Sequence, residues 1–134
     1  MRRMLLAVVL FVAAQSALAQ QNAPPCNGDI TIVRVSTIKA TGSLQGFLKA
    51  QDAHLAWYRN HGFKDNRIYS ARVLVQDKDT KQFKFSDTEI MSFHVRPPRT
   101  DNAQHDAAWD TYVKQYRDNS DIKSETIVCM PKSS

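Results

Sequence analysis

Nine residues near the start of the chain, Ile30–Ile38 (ITIVRVSTI), constrain it most. The run is β-branched and carries apolar side chains on both alternating faces, the pattern of a central strand that is covered on two sides. A strand of that kind needs a partner on each edge and a layer packed over it. The rest of the chain supplies these in order.

After the breaker Thr41-Gly42-Ser43, in which Ser43 can cap, the period becomes helical over Leu44–His61. Leu44, Phe47, Leu48, Gln51, Leu55 and Tyr58 form one stripe, and Gly62 stands where a left-handed C-terminal residue belongs. Arg67–Gln76 is β-rich, Asp77–Thr80 is a polar turn, and Lys81–Arg96 returns as a strand that Pro97-Pro98 ends. Ser86-Asp87 inside the return predicts a bulge, which confines Phe83–Phe85 to pairing near the hairpin tip. Thr100 or Asp101 can cap a second helix over Asn102–Arg117, with His105, Trp109, Tyr112, Val113 and Tyr116 as its stripe. Ile122–Met130 reads as a last strand. The order β-α-β-β-α-β is the α+β, ferredoxin-like arrangement: a four-stranded antiparallel sheet with two helices on one face.

Arg2-Arg3, the apolar run Met4–Ala14 and Ser16-Ala17-Leu18-Ala19 have the form of a secretory signal peptide cut after Ala19. The apolar run is too short for a bilayer span of about 20 residues, so no membrane span is expected after cleavage. The expected divisions are a signal at 1–19, a leader at 20–29, one domain at 30–130 and a polar tail at 131–134. The style of the signal points to export, to a bacterial periplasm or beyond. Losing Arg2 and Arg3 lowers the formal charge from +5 to +3. The remaining Lys and Arg are scattered among acids, which argues against nucleic acid as a partner.

Cys26 and Cys129 are the two cysteines of the sequence. In an oxidising compartment an isolated pair joins, and no Cys-x-x-Cys spacing offers redox chemistry instead. The topology agrees independently, because an antiparallel first and last strand bring the start of one beside the end of the other.

Alternation divides the strands into two faces. Thr31, Val33, Val35, Tyr69, Ala71, Val73, Val75, Met91, Phe93 and Val95 are apolar enough to meet the helices. The opposite set mixes Ile32, Ile68, Leu74 and Ile90 with Arg34, Ser36, Ser70, Arg72, Ser92 and His94, and with Ser124, Thr126 and Val128 of the last strand. A surface so half-suited to burial implies a second layer from another subunit. Here the chain, over Ile30–Met130, resembles the dimeric α+β barrel superfamily, in which two such sheets meet face to face. The segment His54–Gly62 is similar to the aromatic, His-bearing first helices of small monooxygenase-like and EthD-like members. The resemblance implies a homodimer and a small organic ligand bound between sheet and helices or inside the barrel, in a group that includes cofactor-free oxygenases, small isomerases or cyclases and haem-binding enzymes.

Three groups are candidates for a site. Arg34, Arg72 and His94 share a strand orientation and can gather around an anionic ligand, an arginine forking onto a carboxylate; the alternative is an ion pair, with Glu125 near enough to serve. His54, Trp57 and His61 share a helix edge, but His54 and His61 lie two turns, about 10.5 Å, apart, too far for one metal. His105 heads the second helix's aromatic stripe and is expected to point at the sheet, with Tyr69 opposite. No Gly-rich phosphate loop, nucleophile elbow or paired His/Cys metal set is present, so neither a metal nor a cofactor is expected. The function readings are three: a small-molecule-binding protein, a cofactor-independent monooxygenase- or isomerase-like enzyme using a histidine, or an envelope protein-interaction module.

Overall fold

The computed structural model describes residues 25–132. The expected signal peptide, the first half of the leader and the end of the polar tail lie outside the described residues. The elements are β1 (Asp29–Ile38), α1 (Leu44–Asn60), β2 (Arg67–Gln76), β3 (Phe83–Val95), a 3-10 turn (Asn102–Gln104), α2 (Ala107–Asn119) and β4 (Ser120–Met130). They form one antiparallel sheet in the order β2-β3-β1-β4. The expected ferredoxin-like topology is therefore the observed one, with β1 between β3 and β4.

Local chemistry explains the boundaries. Ser43 caps α1 by accepting a hydrogen bond from the Gly46 amide at 2.9 Å. Gly62 ends the helix with φ +84°, in the left-handed region that glycine enters without strain. The second helix starts later than expected. Asp101 caps only the short 3-10 turn, in a reciprocal pair with Gln104, and the chain is extended at His105. Asp106 then caps α2 through the Trp109 amide. Its carboxylate also accepts from Trp57 Nε1 at 2.9 Å and faces His61 Nε2 at 3.3 Å, so the cap ties α2 to the end of α1.

The bulge falls where Ser86-Asp87 predicts it: the β2–β3 register shifts between Arg72 and Leu74, and Leu74–Gln76 pair with Phe83–Phe85 at the tip. At the other end of the sheet Ile30 pairs with Cys129, and Cys26 is disulfide-bonded to Cys129 with Cα atoms 5.6 Å apart.

One expectation is reversed: the mixed strand face lies under the helices and the more apolar face is turned away. Ile68 is buried with Trp57, Tyr58 and Tyr112 in the main core cluster. The His94 ring stands 5.2–5.3 Å from the rings of Tyr58 and His54 on α1, and Ser70 donates to Gln51 of α1. Val33, Val35, Met91 and Phe93 occupy the outer face half-buried, and Tyr69 is exposed there with its ring stacked on Phe93. The helices' inner sides carry rings with polar edges, from His54, Tyr58, Tyr112 and Tyr116, which suit a strand face of mixed polarity better than a row of valines.

Candidate functional site

Large rings from the helices cannot pack flush over small strand side chains such as Ser36 and Ser92. A cavity of about 540 Å³ is left between helices and sheet. Its sheet side is formed by Ile32 and Arg34 of β1 and His94 of β3. Phe47, His54 and Tyr58 of α1 and Tyr112 and Tyr116 of α2 form the other wall. The His54 ring lies stacked on Tyr112, centroids 4.4 Å apart, and edge-on to His94 and Tyr116. Its Nδ1 is 3.4 Å from the Tyr116 hydroxyl.

Burial sets the protonation of this group. It pushes His54 down to about 3, helped by His94 and then by Arg34, and pushes His94 down to about 4, helped by Arg34. Both imidazoles are therefore neutral at ordinary pH. Burial also raises Tyr58, Tyr112 and Tyr116 above the usual phenol range, so all three hydroxyls stay protonated. Arg34 is the cation at the centre. Its Nε donates to Glu125, and its two terminal nitrogens have no protein partner among the described residues.

His94 is held from behind. Its Nε2 lies 3.1 Å from the side-chain amide nitrogen of Asn66, a residue 2% exposed in the loop before β2. Arg59 donates from one terminal nitrogen to the Asn66 side-chain oxygen at 2.6 Å and from the other to the Asn66 backbone oxygen at 2.5 Å. The Tyr112 hydroxyl is buried without a hydrogen-bond partner.

Of the residues singled out in the sequence, Arg34, His94 and His54 come together here. The other five do not. His61 stacks on Trp57 and faces Asp106 at the end of α1. Arg72 shares the helix-side face but lies toward the hairpin, its guanidinium carbon 4.1 Å over the Phe85 ring. Trp57 is buried in the core cluster and donates to Asp106. His105 stacks on Trp109 at 3.6 Å, its Nε2 3.4 Å from the Thr100 hydroxyl, because the chain is extended there and the helix begins two residues later. Tyr69 sits on the outer face, across the sheet from His105's expected pocket. Asn66 and Arg59 were not legible as site residues. The only signal was a polar loop residue near Gly62, which in sequence reads as turn composition.

A largely apolar cavity lined by two neutral imidazoles, three protonated phenols and Arg34, with Arg117 of α2 and Asp121 of β4 also on its wall, can bind a flat organic molecule and orient it by hydrogen bonds. Among the described residues no cluster of three His, Cys, Asp or Glu side chains could hold a metal ion. No protein-family model and no curated protein matches the chain. Among solved structures it is similar in topology to SnoaB, described as a cofactor-independent oxygenase from Streptomyces nogalater, with TM-score 0.44 and 13% identity over 79% of this chain and 96% of that chain.

Proposed function

We propose that this is an exported small-molecule-binding protein that works as a homodimer, with its ligand in the cavity between helices and sheet. The observation that carries the reading is the convergence of Arg34, His54 and His94 with tyrosine hydroxyls on one cavity of about 540 Å³. Charged and polar side chains are seldom buried together unless they have a task or are fully satisfied by one another. In this cavity they are not fully satisfied. The dimer is supported by the outer sheet face, where Val33, Val35, Met91 and Phe93 form a band that a second copy of the same face would cover. Export is supported by the disulfide and the form of the first nineteen residues. Native mass spectrometry of protein purified from its own compartment tests both parts: the expected species is twice the chain mass with a retained small organic molecule. A bare monomer would refute the reading.

A second reading, a cofactor-independent enzyme using a histidine, has one observation in its favour. Two imidazoles and a phenol meet in a protected cavity, as acid–base chemistry requires. Against it, imidazoles with pKa values of about 3 and 4 are weak bases at neutral pH. Turnover of a candidate ligand that disappears in both His54→Gln and His94→Gln would favour the enzyme.

A further inference from the structure

From the Arg59–Asn66–His94 chain of hydrogen bonds we infer that His94 is fixed as the tautomer with its proton on Nδ1, which makes the cavity selective for ligands bearing an oxyanion. The inference rests on the cavity being the binding site and names the class of molecule it takes.

The chain of reasoning runs one way because a guanidinium only donates. Arg59 donates to the side-chain oxygen and the backbone oxygen of Asn66, so the Asn66 amide nitrogen must be the atom that faces His94. That nitrogen also only donates, so His94 Nε2 must present its lone pair. A neutral imidazole with a lone pair on Nε2 carries its proton on Nδ1. Protonating Nε2 would set two N–H groups against each other at 3.1 Å in a buried position.

The consequence is a count of donors and acceptors. His94 Nδ1 has no protein partner among the described residues, and neither have the two terminal nitrogens of Arg34. Each is a donor. The single carboxylate beside Arg34, that of Glu125, is already engaged by its Nε. Arg117 and Asp121 also line the cavity, the Asp121 carboxylate being paired with Lys39 at 3.2 Å. The polar atoms left over beside Arg34 and His94 are therefore mostly N–H groups, between aromatic walls. A carboxylate, phenolate or enolate on a flat ring satisfies them, whereas a cation or a molecule with donors alone does not. Asn66 and Arg59 touch no ligand in this scheme. They are positioning residues that decide which sign of partner His94 can serve.

Two measurements test this on the disulfide-intact protein. Long-range nitrogen-15 to proton correlation on the histidine rings reports the tautomer directly. The expected result is a His94 ring protonated on Nδ1 and bare on Nε2; a proton on Nε2 in the unaltered protein overturns the inference without any variant. In Asn66→Asp a carboxylate oxygen would face Nε2, and the proton should move to it. The second measurement is calorimetric binding of naphthoate, naphthamide and naphthylmethylammonium. These share a ring system and differ in the sign of the head group. Naphthoate should bind roughly tenfold or more tighter than the amide, with the ammonium weakest, and Asn66→Asp should narrow that preference severalfold while Arg34 keeps the rest. An unchanged preference in the variant overturns the part assigned to the tautomer. Equal binding of all three overturns the selectivity but leaves the cavity as a binding site. Binding of none refutes the cavity reading, and the ring assignment then still decides the relay by itself.

Discussion

His54 of α1 and His94 of β3 meet edge to face with their ring centroids 5.3 Å apart, both buried and both within the field of Arg34. Helix and sheet are joined at this point by groups that must remain uncharged. That requirement makes the fold sensitive to acid in a defined window.

Both folded pKa values, about 3 and about 4, lie below the ordinary histidine value of 6.5. The unfolded chain therefore binds more protons than the folded one below pH 6.5. Stability from this pair is complete above that pH and is lost as pH falls toward 4 and then 3. At about 1.4 kcal/mol per pKa unit the loss for the coupled pair should reach several kcal/mol. Urea midpoints measured from pH 7.5 to 4 should fall steadily below 6.5, and His94→Gln should flatten the slope. An unchanged midpoint across that range would contradict the neutral assignment.

Reduction of the Cys26–Cys129 bond releases a sequence separation of 103 residues. The chain-entropy model puts the stabilisation at about 4–5 kcal/mol, an upper figure because strain and residual structure reduce it. The double variant Cys26→Ser/Cys129→Ser should melt well below the oxidised protein, and oxidised and reduced forms of the native sequence should differ by a similar amount in thermal denaturation.

Two glycines should fail on substitution for different reasons. A Cβ at Gly28 would lie 1.9 Å from the Met130 carbonyl oxygen, so Gly28→Ala must push apart the two chain ends that the disulfide holds, at a cost of about 1–3 kcal/mol. At Gly62 nothing lies within 4 Å of an added Cβ, but φ is +84°. Gly62→Ala should cost about 1–2 kcal/mol through backbone strain alone. Denaturant unfolding of the two variants checks both.

Tyr69 is exposed on the sheet face away from the helices, stacked on Phe93. If two copies pair through that face, Tyr69→Glu places like charges in the contact. Light scattering should show the variant at monomer mass, with circular dichroism little changed because the exposed ring gives up only its stacking on Phe93. A dimer that persists in Tyr69→Glu would place the interface elsewhere.

The element order was legible because Ile30–Ile38, the helical stripe from Leu44 and the Asp77–Thr80 turn each have one reading. The disulfide was legible from the isolated cysteine pair, and the element order supported it independently. The two sheet faces were not legible in the same way. Valines at 33 and 35 and an Ile–Arg–Ser alternation at 32, 34 and 36 are both compatible with burial, and hydrophobicity alone favours the valines. The deciding information sits on other elements, in the polar edges of His54, Tyr58, Tyr112 and Tyr116, and matching them to the strands would have chosen correctly. Residue type drew attention to Arg34, His54 and His94, but equally to Arg72, His61 and His105, which lie outside the cavity; the fold, not the type, separates them. Asn66 offered no signal, since its importance comes from Arg59 and His94 meeting on either side of it.

Nearly the whole domain lies inside the ring that Cys26 and Cys129 close. The outermost point of that ring is the exposed turn around Lys78–Thr80, at the far tip of the β2–β3 hairpin. A peptidase cutting there would leave two fragments still tied together through sulfur. The nicked molecule would keep its intact mass, plus one water, until a reductant is added, so a single cut at the tip would not separate the domain into free pieces.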